Sequence, residues 1–169
     1  ANNDSISKTI IVATLLCIVC SVIVSTAAVL LKPAQVANKQ LDFKRNVLSA
    51  AGLLKKDISV QEQFKNVTVK LIDLETGLYS DKTDIAAYDQ RKAAKDPQLS
   101  EDLAPSEDIA KIGRVERLSK VYIVDTAEGD KVFVLPVRGY GLWSTLYGFL
   151  AVQGDMNTVV GLGFYEHAE

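Results

Sequence analysis

The side chains best suited to chemistry crowd into one stretch. Pro136-Val137-Arg138-Gly139-Tyr140-Gly141-Leu142-Trp143-Ser144-Thr145-Leu146-Tyr147-Gly148-Phe149 holds the only Trp of the chain, two of its six Tyr and three of its ten Gly. Glycine removes the Cβ and large rings supply flat area, so this composition suits a surface where backbone passes close to something planar. A tight turn entering a core strand would use the same residues. The stretch by itself leaves both readings open.

Acid-base chemistry has one imidazole to work with, His167, flanked by Glu166 and Glu169. A nucleophile and base pair would require it to face Ser144 or Thr145, and no spacing in the sequence brings them together. A surface histidine at a strand end is the simpler reading. Cys17-Ile18-Val19-Cys20 has metal-ligand spacing, and at i, i+3 the two thiols share a helix face. Two thiolates do not complete a four-ligand site, so a partner would have to bring the rest; otherwise each is a small hydrophobe. The chain has no glycine-rich dinucleotide fingerprint, phosphate-binding loop or zinc helix motif. No enzyme class follows from these residues, and no metal is expected.

Composition narrows the classes further. A chain of 169 residues with net charge -2, 48% hydrophobic and 24% charged residues, has room for about one domain. It lacks the basic stripe of a nucleic-acid binder. Two cysteines cannot form a disulfide framework. The average conceals two unlike parts, since residues 9–31 contain no charged side chain at all.

The elements that must position these residues begin with that apolar segment. Thr9 to Leu31 as a helix is about 34 Å long, enough for a bilayer core of about 30 Å. It is too long for the apolar region of a signal peptide, so an uncleaved anchor is expected after a tail of residues 1–8. Ala13, Cys17, Ser21 and Ser25 recur every four positions. Small residues at that spacing let another membrane helix approach closely, which predicts docking against membrane partners. The segment carries no carboxylate, which argues against a direct ion path through it. Lys32, Lys39, Lys44 and Arg45 follow the apolar run, so the positive-inside rule taken literally puts the soluble part in the cytoplasm.

Pro33 is expected to break or restart the helix, and residues 32–54 read as an amphipathic connector stopped by Gly52. The domain proper is 55–169. Ser59-Val60-Gln61-Glu62 matches a capping box for a short helix through Phe64. Val67 to Ile72 alternate as a strand, Glu75-Thr76-Gly77 is a turn, and Leu78-Tyr79 pair back. Asp84 is expected to cap a helix from Ile85 to about Lys95, ended by Asp96-Pro97. Asp96 to Asp108, with Glu101, Asp102 and Glu107, reads as a solvated acidic loop without chemistry. Then come strands: Val121 to Thr126, a turn at Glu128-Gly129-Asp130, Val132 to Val137, Leu146 to Gln153, a turn at Gly154-Asp155-Met156-Asn157, and Val159 to Tyr165. Successive returns after an N-terminal helical half predict an α+β class with an antiparallel sheet. The apolar pattern runs almost to Glu169, which suggests an incomplete domain.

Several of these segments occur together in one known family. The uncharged anchor, Tyr88-Asp89-Gln90-Arg91-Lys92-Ala93-Ala94-Lys95, Leu135 through Ser144, Asn157-Thr158-Val159-Val160-Gly161-Leu162 and Tyr165-Glu166-His167-Ala168-Glu169 closely resemble the C subunits of sodium-translocating NADH:quinone oxidoreductases. The resemblance runs over essentially the whole chain. It implies one transmembrane helix, an FMN-binding domain shared with Rnf electron-transport complexes, and FMN joined through its phosphate to a threonine. It further implies a flavin that relays electrons between partner subunits, while the complex takes electrons from NADH to ubiquinone and exports sodium. NADH and ubiquinone would be met only through other membrane subunits. The family's S-G-A-T attachment motif and its Thr-Pro-Gly-Leu-Gly segment are absent from residues 1–169. The covalent threonine is therefore expected beyond residue 169, and neither Thr145 nor Thr158 stands in its context.

Within that family, Gly139 and Gly141 would allow close backbone approach, and Leu142 and Trp143 would form an apolar wall beside the flavin. The resemblance also implies an inner-membrane protein whose soluble domain lies on the periplasmic side, against the charge bias. An Rnf-type subunit and a cofactor-free anchored interaction domain are the alternatives.

Overall fold

The computed structural model describes residues 5–126 and 129–168. Glu128 of the expected turn and Glu169 of the terminal motif lie outside the described residues. The chain divides into two compact units, one up to Gln40 and one from Leu41 onward.

The first unit is helical from Ile6 onward. Helix α1 (Ile6–Ala50) contains the expected anchor, and by length and composition it can cross a membrane. Pro33 does not break it. Proline's fixed φ is compatible with a helix; the missing amide and the clash of the ring with the carbonyl four residues back weaken this turn without ending the helical path. Residues 32–50 of the connector expected over 32–54 are therefore the C-terminal part of the same helix.

The second unit starts with the end of α1. Gly52 has φ +69, and its amide and that of Leu53 donate to the carbonyls of Ser49 and Leu48, both at 3.0 Å. This is a left-handed helix stop of the kind glycine permits without a Cβ penalty. Just before it, Phe43, Val47, Ala50 and Ala51 pack on Tyr122, Val132, Val134, Phe149 and Ala151. Phe43 meets Tyr122, Phe149 and Tyr165 edge-on at 5.8, 5.2 and 5.8 Å, and Phe149 stacks on Tyr165 at 4.8 Å. These rings form the centre of the core.

Helix α2 (Val60–Gln63) is capped as expected, with Ser59 accepting from the Glu62 amide; a single 3-10 turn follows. The main sheet contains β1 (Val67–Asp73), β4 (Leu118–Asp125), β5 (Lys131–Tyr140), β6 (Thr145–Gln153) and β7 (Val159–Glu166), antiparallel in that spatial order. On β4, Val121, Tyr122, Ile123 and Val124 are all buried. A strand inside the sheet with both faces covered has no polar side to alternate with. The Leu78-Tyr79 return is one isolated bridge, Ile72 to Tyr79.

Two expectations are corrected between the first strand and the fourth. The helix expected from Ile85 is the single turn α3 (Gln90–Ala93). Asp84 caps only a local turn, accepting from the Ala86 amide, whereas Asp89 in an extended conformation accepts from the amides of Arg91 and Lys92. The acidic loop is also partly ordered: β2 (Ser100–Asp102) pairs with β3 (Arg114–Glu116) in a second, two-stranded sheet. Asp102 is paired with Arg114, and Glu101 with Arg117 at 3.3 Å, so opposite charges across the ladder hold residues that looked merely solvated.

Candidate functional site

The glycine-aromatic stretch folds as the β5–β6 hairpin. Strand β5 continues through Tyr140, three residues past the expected end at Val137, so Gly139 and Tyr140 are strand residues. Tyr140 pairs with Thr145 and Gly139 with Leu146, and the Gly141 amide donates to the Ser144 carbonyl at 2.7 Å to close the turn. Leu142 and Trp143 form its tip and are 77% and 74% exposed. The tip is thus an outward apolar surface, unlike a turn feeding a core. Tyr140 is also exposed, and its amide donates to the Ala110 carbonyl at 2.7 Å, which brings the exposed Ile109 segment alongside.

The glycines divide by role. A Cβ on Gly139 would stand 3.7 Å from Ala110, an ordinary contact. At Gly148 it would fall 2.6 Å from the Gly163 carbonyl oxygen and 2.8 Å from the Phe164 ring. Close approach of backbone to something flat therefore occurs here, at Gly148 against a neighbouring side chain. The hydrophobic flank of Phe164 masked this in the sequence, because its partner lies on another strand.

Below its turn the hairpin rests on a polar network that residue spacing did not reveal. Arg138 of β5 donates to Glu116 at 2.8 Å and to the Arg114 carbonyl at 2.7 Å. The Glu116 side chain is only 7% exposed and also accepts from Gln90 at 2.5 Å. Gln90 further donates to the Ser119 hydroxyl and accepts from the Lys120 amide. Next to it, Arg91 lies over the Tyr147 ring at 3.7 Å and donates to both oxygens of Glu166 at 2.9 and 3.0 Å and to the Tyr165 hydroxyl at 3.1 Å. Burial opposes the Arg91 charge, and the hydrogen bonds to Glu166 and Tyr165 outweigh it, so the guanidinium is held above its ordinary value.

The remaining candidates are placed as follows. His167 is exposed just past the end of β7, and the Ala168 amide donates to the Ser144 hydroxyl at 2.9 Å. Cys17 and Cys20 are free and exposed on α1, and no group of three or more potential metal ligands gathers among the described residues. Ala13, Ser21 and Ser25 are likewise exposed on that helix.

Fold and site define a class: an α+β module of antiparallel sheet, preceded by a long apolar helix, that presents an aromatic hairpin. Comparison with known proteins is more specific. The chain is 50% identical to the C subunit of the Na(+)-translocating NADH-quinone reductase of Pseudomonas aeruginosa over 173 residues, covering 100% of this chain and 66% of the relative. It is 44% identical to the same protein of Vibrio campbellii, covering 100% of this chain and 67% of that one. The crystal structure of Shewanella oneidensis NqrC superposes with a TM-score of 0.71 at 36% identity, covering 79% of this chain and 62% of that one. The chain belongs to the family formed by the C subunits of Na(+)-translocating NADH-quinone reductases. The corresponding protein of Parabacteroides distasonis, 21% identical with a TM-score of 0.60, shares the fold. No protein-family model matches the chain. The chain spans about two thirds of the length of these curated relatives, 66% and 67%.

Proposed function

We propose that this chain is part of a flavin-carrying electron-transfer subunit, in a membrane complex that passes electrons from NADH to ubiquinone and couples this to sodium export. Family membership supports the reading, and the relatives' name favours it over an Rnf-type subunit. The observation that carries the site is the outward pair Leu142 and Trp143. An indole beside a branched aliphatic side chain, solvent-facing and next to Tyr140, offers the flat apolar area that a planar ring system stacks on. The residues present therefore fit one wall of an FMN site; the covalent threonine is assigned outside residues 1–169. Bound FMN would supply the electron transfer, and this chain would supply orientation and shielding from water. Gly139 and Gly141 complete the wall as backbone positions without side chains.

Trp143→Ala in the assembled complex is expected to lower quinone reduction or flavin content. Normal values of both would remove Trp143 from the site.

The anchor reading extends to location. The apolar part of α1 is proposed as a single span of the bacterial inner membrane, with Ala13, Cys17, Ser21 and Ser25 facing the membrane helices of partner subunits and the domain on the periplasmic side. The basic flank favours the opposite side, a bias that single-span proteins override.

A further inference from the structure

Two rungs below the Tyr140–Thr145 pair that closes the turn, the structure carries a holding device. Arg138 of β5 and Tyr147 of β6 are direct cross-strand partners, so they occupy one rung of the hairpin. Each is held by a different side chain of the same helical turn. Gln90 reaches Arg138 through the buried Glu116. Arg91 covers Tyr147 face-on at 3.7 Å and is itself pinned by both carboxylate oxygens of Glu166. Asp89 fixes the turn by capping the amides of Arg91 and Lys92. Two consecutive residues thus hold both strands of the hairpin at one level. A planar guanidinium suits this position because it can stack on a ring while its Nη1 donates to both carboxylate oxygens of Glu166 and its Nη2 to the Tyr165 hydroxyl.

We infer that Gln90 and Arg91 are positioning residues, which act through Glu116–Arg138 and through Tyr147 to fix the angle and order of the tip that presents Leu142 and Trp143. The inference rests on the flavin reading for its functional half and on geometry alone for its mechanical half. A site wall must be held closely by its supporting shell if it is to act on a bound group. Tyr88 through Lys95 gains a role on this account, as the seat of the clamp.

The test uses the full-length subunit in the assembled membrane complex, with Arg91→Gln and Arg91→Lys. The Lys variant retains charge for Glu166 but lacks the flat face for Tyr147. Hydrogen exchange is followed by mass spectrometry in a peptide covering 136–149 and in one covering β1. Both variants are expected to speed exchange in the hairpin peptide, Arg91→Gln by about tenfold and Arg91→Lys by less, with β1 unchanged. Val134→Ala, a core truncation, serves as the control and is expected to speed exchange across the sheet instead. The flavin midpoint potential is then measured in the same variants, and it should shift in step with hairpin exchange. Unchanged hairpin exchange in both variants overturns the clamp, whatever the flavin does. Faster exchange with an unchanged potential overturns the positioning role and also the placement of the flavin at this tip. A normal Trp143→Ala alongside a loosened hairpin marks failure of the flavin reading alone.

Discussion

At the scale of single residues, the buried tyrosines show most directly how environment sets behaviour. Tyr88 donates its hydroxyl to the Leu118 carbonyl at 2.6 Å, and burial, helped by the charges of Glu116 and Asp89, pushes its phenol up to about 12 from 10.0. The unfolded chain releases this proton near pH 10 and the folded chain only near 12, so between those values the unfolded state binds fewer protons and stability falls as pH rises. Tyr88→Phe is expected to cost about 1 kcal/mol at neutral pH through the lost hydrogen bond. It should also flatten the decline above pH 10; Tyr122 and Tyr165, whose phenols burial also raises, retain the remainder. Urea unfolding of the domain at several pH values checks both effects. An unchanged alkaline slope in the variant would show that Tyr88 titrates alike in both states.

At the scale of elements, the β6–β7 pair is held close by an absent side chain. Gly148→Ala would set a Cβ against the Gly163 carbonyl and the Phe164 ring and force these strands apart. Overpacking of this kind typically costs about 1–3 kcal/mol. Thermal unfolding should report that loss, while Gly139→Ala, with only an ordinary contact to Ala110, should be nearly neutral toward folding. The hairpins themselves were legible because their turn chemistry is local: Gly154 to Asn157 and the alternation on either side suffice. The capped helix was displaced because Asp84 and Asp89 are both competent caps, and the packing of Tyr88 between them, a tertiary matter, decides. The β2–β3 ladder was missed since three-residue strands carry no readable period. The clamp was invisible for a simpler reason: Gln90 and Glu116 are 26 residues apart, and Arg91 and Glu166 are 75 apart. The aromatic tip was visible as composition, whereas what holds it was not. On the anchor, Ser21→Leu tests the small-residue face; the account expects weaker co-purification of partner subunits, and full recovery of every partner would contradict it.

At the scale of the whole molecule, the proposed function is that of an electron carrier that leaves NADH and quinone chemistry to other subunits. On that proposal the protein's part is to present an apolar surface on a sheet whose core is built from interlocked rings. Topology relative to the membrane is the open physical choice, between the charge bias of the residues after Leu31 and the family expectation. Protease added to intact spheroplasts should digest the domain if it lies on the periplasmic side. Protection would return the charge bias as the better guide.

The central claim is that the polypeptide carrying these residues is a covalently flavin-bearing member of its complex, and its most direct test is flavin fluorescence after denaturation. The full-length polypeptide is purified from membranes, run on a denaturing gel and viewed under ultraviolet light. A fluorescent band at its own mass is predicted, because only a covalently held flavin survives unfolding. A dark band there, with full protein staining, would contradict the claim and favour a cofactor-free anchored interaction domain.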